Sequence, residues 1–414
     1  IMEYITLIDN VTHIVDPNKQ LFDTVQNSTQ PVIVYMKIEE FRTIIEFYDK
    51  QTIELIQSKT KIHLEKSIKK YCNFAKVYQL GNGEYAMVNE KSLCLENKEK
   101  CISRLKEFQL SIKNNKIDIG DIDYDLSILI SLAYEDDKIL ESAKLGINKQ
   151  LETKQNFIVS NNLAKLGHAK AEKNMKIISM VKKAIETSSI VSYFQPIIDN
   201  KTQKIVKYES LVRLIDEEKK ELSPFFFLDI AKRGKYYSEI TTIVLNNSFN
   251  ALKHIDVDIS INLSVIDIEK ESTRETIFEL LEKNKKEASG VVFELLEDED
   301  VKDFETIKKF IKDVKEYGVK IAIDDFGSGY SNFKRLIDYQ PDILKIDGSL
   351  IKNIIHDSFS RNIVETIISF AKRENLQTIA EYVENEEIFN VINDLGVDYS
   401  QGYYFGKPEP LESN

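Results

Sequence analysis

In the second half of the chain, short apolar runs alternate with helical stretches, and each run ends in or encloses a polar side chain. Glu209 lies in Val206-Lys207-Tyr208-Glu209-Ser210-Leu211, and Asn262 follows Ile259-Ser260-Ile261. Glu294 follows Val291-Val292-Phe293, and Asp324-Asp325 follows Ile321-Ala322-Ile323. Lys345 sits inside Ile343-Leu344-Lys345-Ile346-Asp347, Glu381 follows Thr378-Ile379-Ala380, and Gln401 leads into Gly402-Tyr403-Tyr404-Phe405. Between these runs, apolar residues recur at helical spacing, as in Val301, Phe304, Ile307, Phe310, Ile311, Val314 and Tyr317, with Gly318 as a helix stop. Repeated β/α units predict an α/β fold with a parallel sheet, doubly wound or closed into a barrel. The stretch from Val191 to Asn414, about 220 residues, approaches the roughly 250 of a (β/α)8 barrel.

In a barrel, the C-terminal ends of the strands converge on one mouth, where active sites are built. A single acid after a strand is ordinarily a helix cap or a solvated loop residue. Acids at successive strand ends are different, because carboxylates gathered without partners repel one another. Bound cations relieve that repulsion. Oxygen ligands plus one amide, with no His or Cys among them, favour Mg²⁺ or Mn²⁺ over Zn²⁺. Two such ions clamp an in-line phosphoryl displacement. Lys345 fits the same site, since a buried ammonium needs carboxylate partners. Gly327 and Gly329 give the segment after the paired aspartates the freedom of a lid.

Charge narrows the partners. The 414 residues contain 56 Lys and Arg against 68 Asp and Glu, a formal net charge of −12. Phosphate neutralisation by a basic face is therefore not expected, and a DNA or RNA polymer is excluded as a partner. A phosphate-bearing ligand would be attracted through bound metal. Cys72, Cys94 and Cys101 form no CxxC pair, which points to a reducing, cytoplasmic setting. No apolar run reaches a membrane-spanning length and no signal-peptide pattern opens the chain. The start at Ile1-Met2 is read as a tag remnant or as loss of an upstream region, which would be the route to any inner-membrane tether.

The first half reads as α+β. A strand is predicted at Pro31–Met36, a long helix from Phe41 to about Tyr71, and a hairpin from Ala75–Leu80 to Tyr85–Val88 around Gly81-Asn82-Gly83. Another strand is predicted at Asp125–Ile130, and a helical connector from about Asn161 to Ser188.

The second half resembles an EAL domain, the class of cyclic di-GMP phosphodiesterases, over about residues 176–412. The signature stands as Glu209-Ser210-Leu211-Val212-Arg213. Around it, in the family's order, are Tyr193-Phe194-Gln195-Pro196-Ile197, Asn262-Leu263-Ser264, Glu294-Leu295-Leu296-Glu297, Asp324 to Ser331, Lys345-Ile346-Asp347, Ala380-Glu381-Tyr382-Val383-Glu384 and Gln401-Gly402-Tyr403. The resemblance implies that Glu209, Asn262, Glu294, Asp324 and Asp325 are metal ligands, holding two Mg²⁺ or Mn²⁺ ions. It implies that Lys345 and Glu381, with Asp325, manage the attacking water. Gln195, Arg213 and Gln401 would contact substrate, and Glu297 would steady the Asp324–Ser331 loop, which the family couples to dimer formation. Arg213 lies four residues after Glu209 on one strand, so the two share a face. Ser210, Leu296 and Tyr382 depart from the usual Ala, Thr and Gly, and none of these removes a charged or ligand group.

The first half resembles a GGDEF (diguanylate cyclase) domain over about residues 9–160. Asp9-Asn10-Val11-Thr12 resembles the entry motif, and Gly81-Asn82-Gly83-Glu84-Tyr85 the signature loop. Gly83 stands where an acid is expected, Lys37 at the metal-binding Asp, Ile45 at the guanine-contacting Asn, and Cys72 and Ala75 at the inhibitory-site pair. A protonated Lys cannot ligate Mg²⁺, so the resemblance implies no cyclase activity. It leaves two roles: weak GTP binding as a regulator, or packing and dimerisation alone, with the second favoured. The expected organisation is a nucleotide-cyclase-like α+β domain at 1–160, a helical connector at 161–188 and a TIM-like (β/α)8 barrel at 189–414. The expected function is metal-dependent hydrolysis of cyclic di-GMP to linear pGpG by a homodimer. A catalytically silent cyclic di-GMP receptor and a pure scaffold are the rivals.

Overall fold

The computed structural model describes residues 16–72, 74, 76–90, 97–113, 116–118, 123–296, 303–327, 336 and 338–411. The expectations for Asp9–Thr12, Ala75, Cys94, Glu297, Val301 and Ser328–Ser331 lie outside them. The chain divides into two compact units, Ile1–Lys173 and Asn174–Asn414.

The first unit is built on β1 (Pro31–Ile38), β2 (Val77–Gly81), β3 (Glu84–Glu90), β6 (Ile128–Tyr134) and β7 (Phe157–Val159), in the order β2-β3-β1-β6-β7; β4 (Lys116–Asp118) and β5 (Asp123–Asp125) pair separately. β1 is apolar from Pro31 to Met36 because both faces are covered there. Val32, Val34 and Met36 join one core with residues such as Phe41, Ile56, Leu64 and Phe108, while Ile33 and Tyr35 join another with Leu21, Ile139 and Ile147. The long helix expected from Phe41 to Tyr71 is instead two, Phe41–Phe47 and Lys50–Ile68. Between them Tyr48 is extended, and Asp49 caps the second helix by accepting from Thr52 N at 2.8 Å. The strand expected at Asp125–Ile130 is also divided, with β5 ending at Asp125 and β6 beginning at Ile128. A helix spans Leu163–Glu186. Cys101 is buried in the first of the two cores, and Cys72 packs against it.

The second unit is a closed barrel. Its staves are β8 (Ile190–Asp199), β9 (Ile205–Ile215), β11 (Asp258–Leu263), β12 (Val291–Leu296), β13 (Lys320–Phe326), β14 (Ile343–Ile346), β15 (Gln377–Ala380) and β16 (Tyr399–Gln401); β10 (Glu221–Leu222) adds to the edge of β9. The pairing of β8 with β9 closes the ring. The parallel sheet expected from the repeat holds from β9 through β16, but β8 runs antiparallel to both neighbours. The reason is local: a tight turn joins β8 to β9, and short turns connect only antiparallel strands. Asp199 Oδ1 holds that turn by accepting from Thr202 N at 2.7 Å.

Side chains inside the barrel form layers, because alternate residues of a strand face one way. Ile197, Val292, Ala322, Ile343 and Ile379, with Tyr399, make an apolar floor. Two residues toward the mouth stand Gln195, Glu294, Asp324, Lys345 and Gln401 on the same strands and Glu381 directly after β15. The floor is therefore the physical base of a polar layer. Among the described residues, no helix is long and apolar enough to cross a membrane.

The two mouth loops after β15 and β16 touch backbone to backbone. Val383 N donates to Gln401 O at 3.0 Å, and Tyr404 N donates to Val383 O at 3.1 Å. A Cβ on Gly402 would stand 2.1 Å from Val383 O, and backbone cannot rotate away. Gly402→Ala is expected to destabilise the barrel by about 2–3 kcal/mol, read by urea denaturation. A change near zero would show that the two loops separate freely.

Candidate active site

The centre of the polar layer is Lys345, whose side chain is buried. Its Nζ lies 2.7 Å from Glu294 Oε2, 2.8 Å from Glu381 Oε1, 2.9 Å from Asp324 Oδ1 and 3.5 Å from Glu209 Oε2. The register explains the convergence: Asn262 pairs with Glu294 across β11 and β12, and Leu296 with Asp324 across β12 and β13. The expected position of Asp324 and Asp325 after their strand is corrected. β13 runs on to Phe326, so both aspartates lie within it, at an irregularity in its pairing with β14. Asp325 takes a left-handed backbone conformation, φ 55°. One oxygen each of Asp324, Asp325 and Glu381 lie within 4.8 Å of one another, a set that can hold a cation.

Glu209 is the most fully partnered acid. Asn262 Nδ2 donates to its Oε1 at 2.7 Å, and Gln401 Nε2 to its Oε2 at 2.6 Å. Gln401 Nε2 also reaches Gln195 Oε1 at 3.1 Å, and Gln195 Nε2 donates to Gly406 O at 3.1 Å. Burial opposes the charge on Glu209, but Lys345, Gln401 and Asn262 outweigh it and hold the carboxyl below its usual range. Glu294 goes the other way. Burial, reinforced by Glu209 and Asp324, raises it to about 8 against the pull of Lys345. Burial and the same repulsion put Glu381 well above the ordinary value. Burial, Asp324 and Asp347 raise Asp325 to about 6. Lys345 is kept charged because its carboxylates overcome its own burial.

The donor set suits a hard divalent cation. One ammonium faces four carboxylates, so the chain's own charges do not balance. Glu294 Oε1 is buried and accepts no hydrogen bond. Protons on the raised acids are one way to balance the excess, and a cation on oxygen ligands is the other. Among the described residues, no His enters this cluster.

Arg213 lies on the same strand as Glu209, with Nη1 donating to Val212 O at 2.9 Å and its guanidinium 5.6 Å from the centre of the Tyr193 ring. Glu209 contributes to its electrostatic surroundings, which places it beside the cluster rather than in it. The structure also supplies residues that pattern reading missed. Asp347 caps the helix Gly348–Lys352 through Ser349 N at 2.9 Å, and its charge helps to raise the Asp325 carboxyl. Lys207, a second buried lysine, lies two residues below Glu209 and pairs with Asp258 Oδ2 at 3.4 Å. Its signal was present in sequence: a lysine inside an apolar strand with the facing of Glu209. The departure at Ser210 is satisfied outside the barrel, where Ser248 Oγ donates to its hydroxyl at 2.8 Å.

With this geometry in view, likeness to known proteins becomes informative. The EAL domain family model matches residues 178–408. Cyclic di-GMP phosphodiesterase PdeF of Escherichia coli K12 is 33% identical over 61% of this chain and 35% of its own length. Cyclic di-GMP phosphodiesterase PdeA of Borreliella burgdorferi is 32% identical over 57% of this chain and 36% of its own. The chain thus spans about a third of the length of these curated relatives. Among solved structures, the PaMucR phosphodiesterase in complex with c-di-GMP aligns with a TM-score of 0.54 and 26% identity, covering 57% of this chain and 98% of that one.

Removing the central ammonium leaves buried carboxylates facing one another. Lys345→Met is expected to destabilise the barrel by about 3–5 kcal/mol near neutral pH, as for a broken buried pair, measured by urea denaturation. A loss under about 1 kcal/mol would show that the acids are already neutral and that the lysine is not their counter-charge.

Proposed function

The chain belongs to the EAL domain family, and from that membership we propose that its barrel hydrolyses cyclic di-GMP to linear pGpG. The observation that carries this reading is the convergence of Glu209, Asn262, Glu294, Asp324, Lys345 and Glu381 in one layer at the barrel mouth. We propose that Glu209, Asn262, Glu294, Asp324 and Asp325 hold two Mg²⁺ or Mn²⁺ ions. Such ions, when bound, neutralise phosphate charge and lower the pKa of water.

The chain's own groups do the rest. Lys345 fixes the carboxylate positions by direct ion pairs and shields their charge from an incoming phosphodiester. Glu381, 2.8 Å from Lys345, accepts the proton of the attacking water. The water oxygen bonds to phosphorus as the bond from phosphorus to the 3′ oxygen breaks, and the proton is returned to that oxygen. Gln195 and Gln401, tied to each other and to Glu209, and Arg213 orient the dinucleotide. Arg suits phosphate because its planar fork matches two oxygens.

For the first unit we propose a degenerate GGDEF-type domain that packs and dimerises without cyclase activity. Two features support this. The β2–β3 hairpin carries the Gly81-Asn82-Gly83 turn, and Lys37 Nζ pairs with Glu84 Oε1 at 3.1 Å. The ammonium thus stands beside the acid that follows the turn.

Two measurements test the reading. Chromatography of cyclic di-GMP incubated with the protein and Mn²⁺ should show pGpG, lost with chelator and reduced at least about a hundredfold in Glu209→Ala. Ligand retention without product would make the barrel a silent receptor. The second is pH-dependent. The folded carboxyl of Glu294 is raised to about 8, so between the ordinary carboxyl range and pH 8 the folded state binds more protons than the unfolded one. Stability of the metal-free protein therefore falls as pH rises across that window. Mn²⁺ is expected to raise the melting temperature more at pH 8 than at pH 6, and an equal shift at both would remove Glu294 from the ion's surroundings.

A further inference from the structure

Tyr382 follows Glu381 directly and holds a left-handed backbone, φ 55°, which favours glycine. Its ring is accommodated by one neighbour: a Cβ on Gly348 would stand 2.1 Å from the ring carbon Cδ2. Lys352 Nζ lies 4.0 Å from the ring centre. Gly348 and Lys352 are four residues apart on one helix, so they share a side of it. Together they bed the ring from that side, while the tyrosine remains 47% exposed. Tyr403, itself exposed, is close enough to act electrostatically on both Tyr382 and Arg213. The ring therefore stands on the same rim as the phosphate-orienting arginine.

The geometry points to Tyr382 as a substrate-binding residue that stacks its outer face on a purine base of the bound dinucleotide. This rests on the proposed cyclic di-GMP reading and adds a contact for the base to those for the phosphate. An aromatic face suits a base because stacking needs only a flat apolar surface, and the Lys352 ammonium beneath the ring braces it.

The test uses the full chain and cyclic di-GMP, with turnover followed in Mn²⁺ and equilibrium binding by calorimetry in EDTA. Tyr382→Leu covers Gly348 without offering a π face, Tyr382→Ala removes both, and Tyr382→Phe keeps the ring. Stacking is expected to make KM and Kd rise about tenfold in the Leu and Ala variants, with kcat within twofold, and to leave the Phe variant near wild type. Leu matching Phe would mean that the ring only covers the helix, and overturns stacking. A fall in kcat with KM unchanged places Tyr382 in support of Glu381 and overturns it as well. A wild-type chain that neither binds nor hydrolyses cyclic di-GMP overturns the functional reading and the stacking with it, whereas unchanged KM and Kd in Tyr382→Leu overturn the stacking alone.

Discussion

A single ammonium surrounded by carboxylates organises the barrel. Taking Lys345 out of water costs several kcal/mol, and each acid around it carries a similar penalty. The cost is tolerable only because five barrel strands deliver their side chains to one point. β9, β12, β13 and β14 supply Glu209, Glu294, Asp324 and Lys345, and Glu381 follows the last residue of β15. Any one-residue slip in register would turn a stave's polar group outward and bring an apolar one in. The ion cluster thus penalises every register but one, while the apolar floor two residues below penalises the same slips through lost burial. Fold and site are specified by the same alternation.

That alternation is why much of the molecule could be read without coordinates. Apolar residues alternating with isolated acids, at successive strand ends, have few solutions other than a barrel mouth. Positions such as Glu294 and Lys345 declare themselves because a charged residue inside a run of Val, Ile and Phe must have a partner. What the pattern did not carry is non-local or depends on single dihedral angles. The antiparallel direction of β8 follows from the turn at Asp199, which a repeat count overlooks. The division of the Phe41–Ile68 stretch depends on one cap at Asp49, invisible to a spacing that continues almost in phase. The inclusion of Asp325 in β13 depends on its left-handed backbone, which a carboxylate tolerates better than a branched residue.

The substitutions that set this chain apart were also illegible one at a time. Ser210 reads as a loss of apolar packing until Ser248 is found opposite it. Tyr382 reads as an intrusion until Gly348 is seen beneath it. In both cases a partner far away in sequence removes the cost. In the second, the accommodation leaves an aromatic surface at the mouth that a glycine would not provide.

The two units offer an internal comparison of what a lysine among acids does. In the first, Lys37 meets Glu84, whose other oxygen accepts from Tyr35 Oη at 2.7 Å. With Lys144 Nζ also 3.9 Å from Glu84 Oε2, two ammonium groups and a hydroxyl donor face one carboxylate, and such a group has small use for a cation. In the second, Lys345 meets four acids, and the excess negative charge is confined where water cannot screen it well. The excess has three outlets: protons, added cations, or expansion of the site. The floor and the closed ring oppose expansion. Burial and mutual repulsion push Glu294 and Glu381 toward holding a proton, whereas the donors around Glu209 favour its charge. A divalent ion that binds there displaces protons and exploits strain the fold already holds. The number of acids per ammonium, rather than the presence of a lysine, separates a closed ion pair from a site built to take cations.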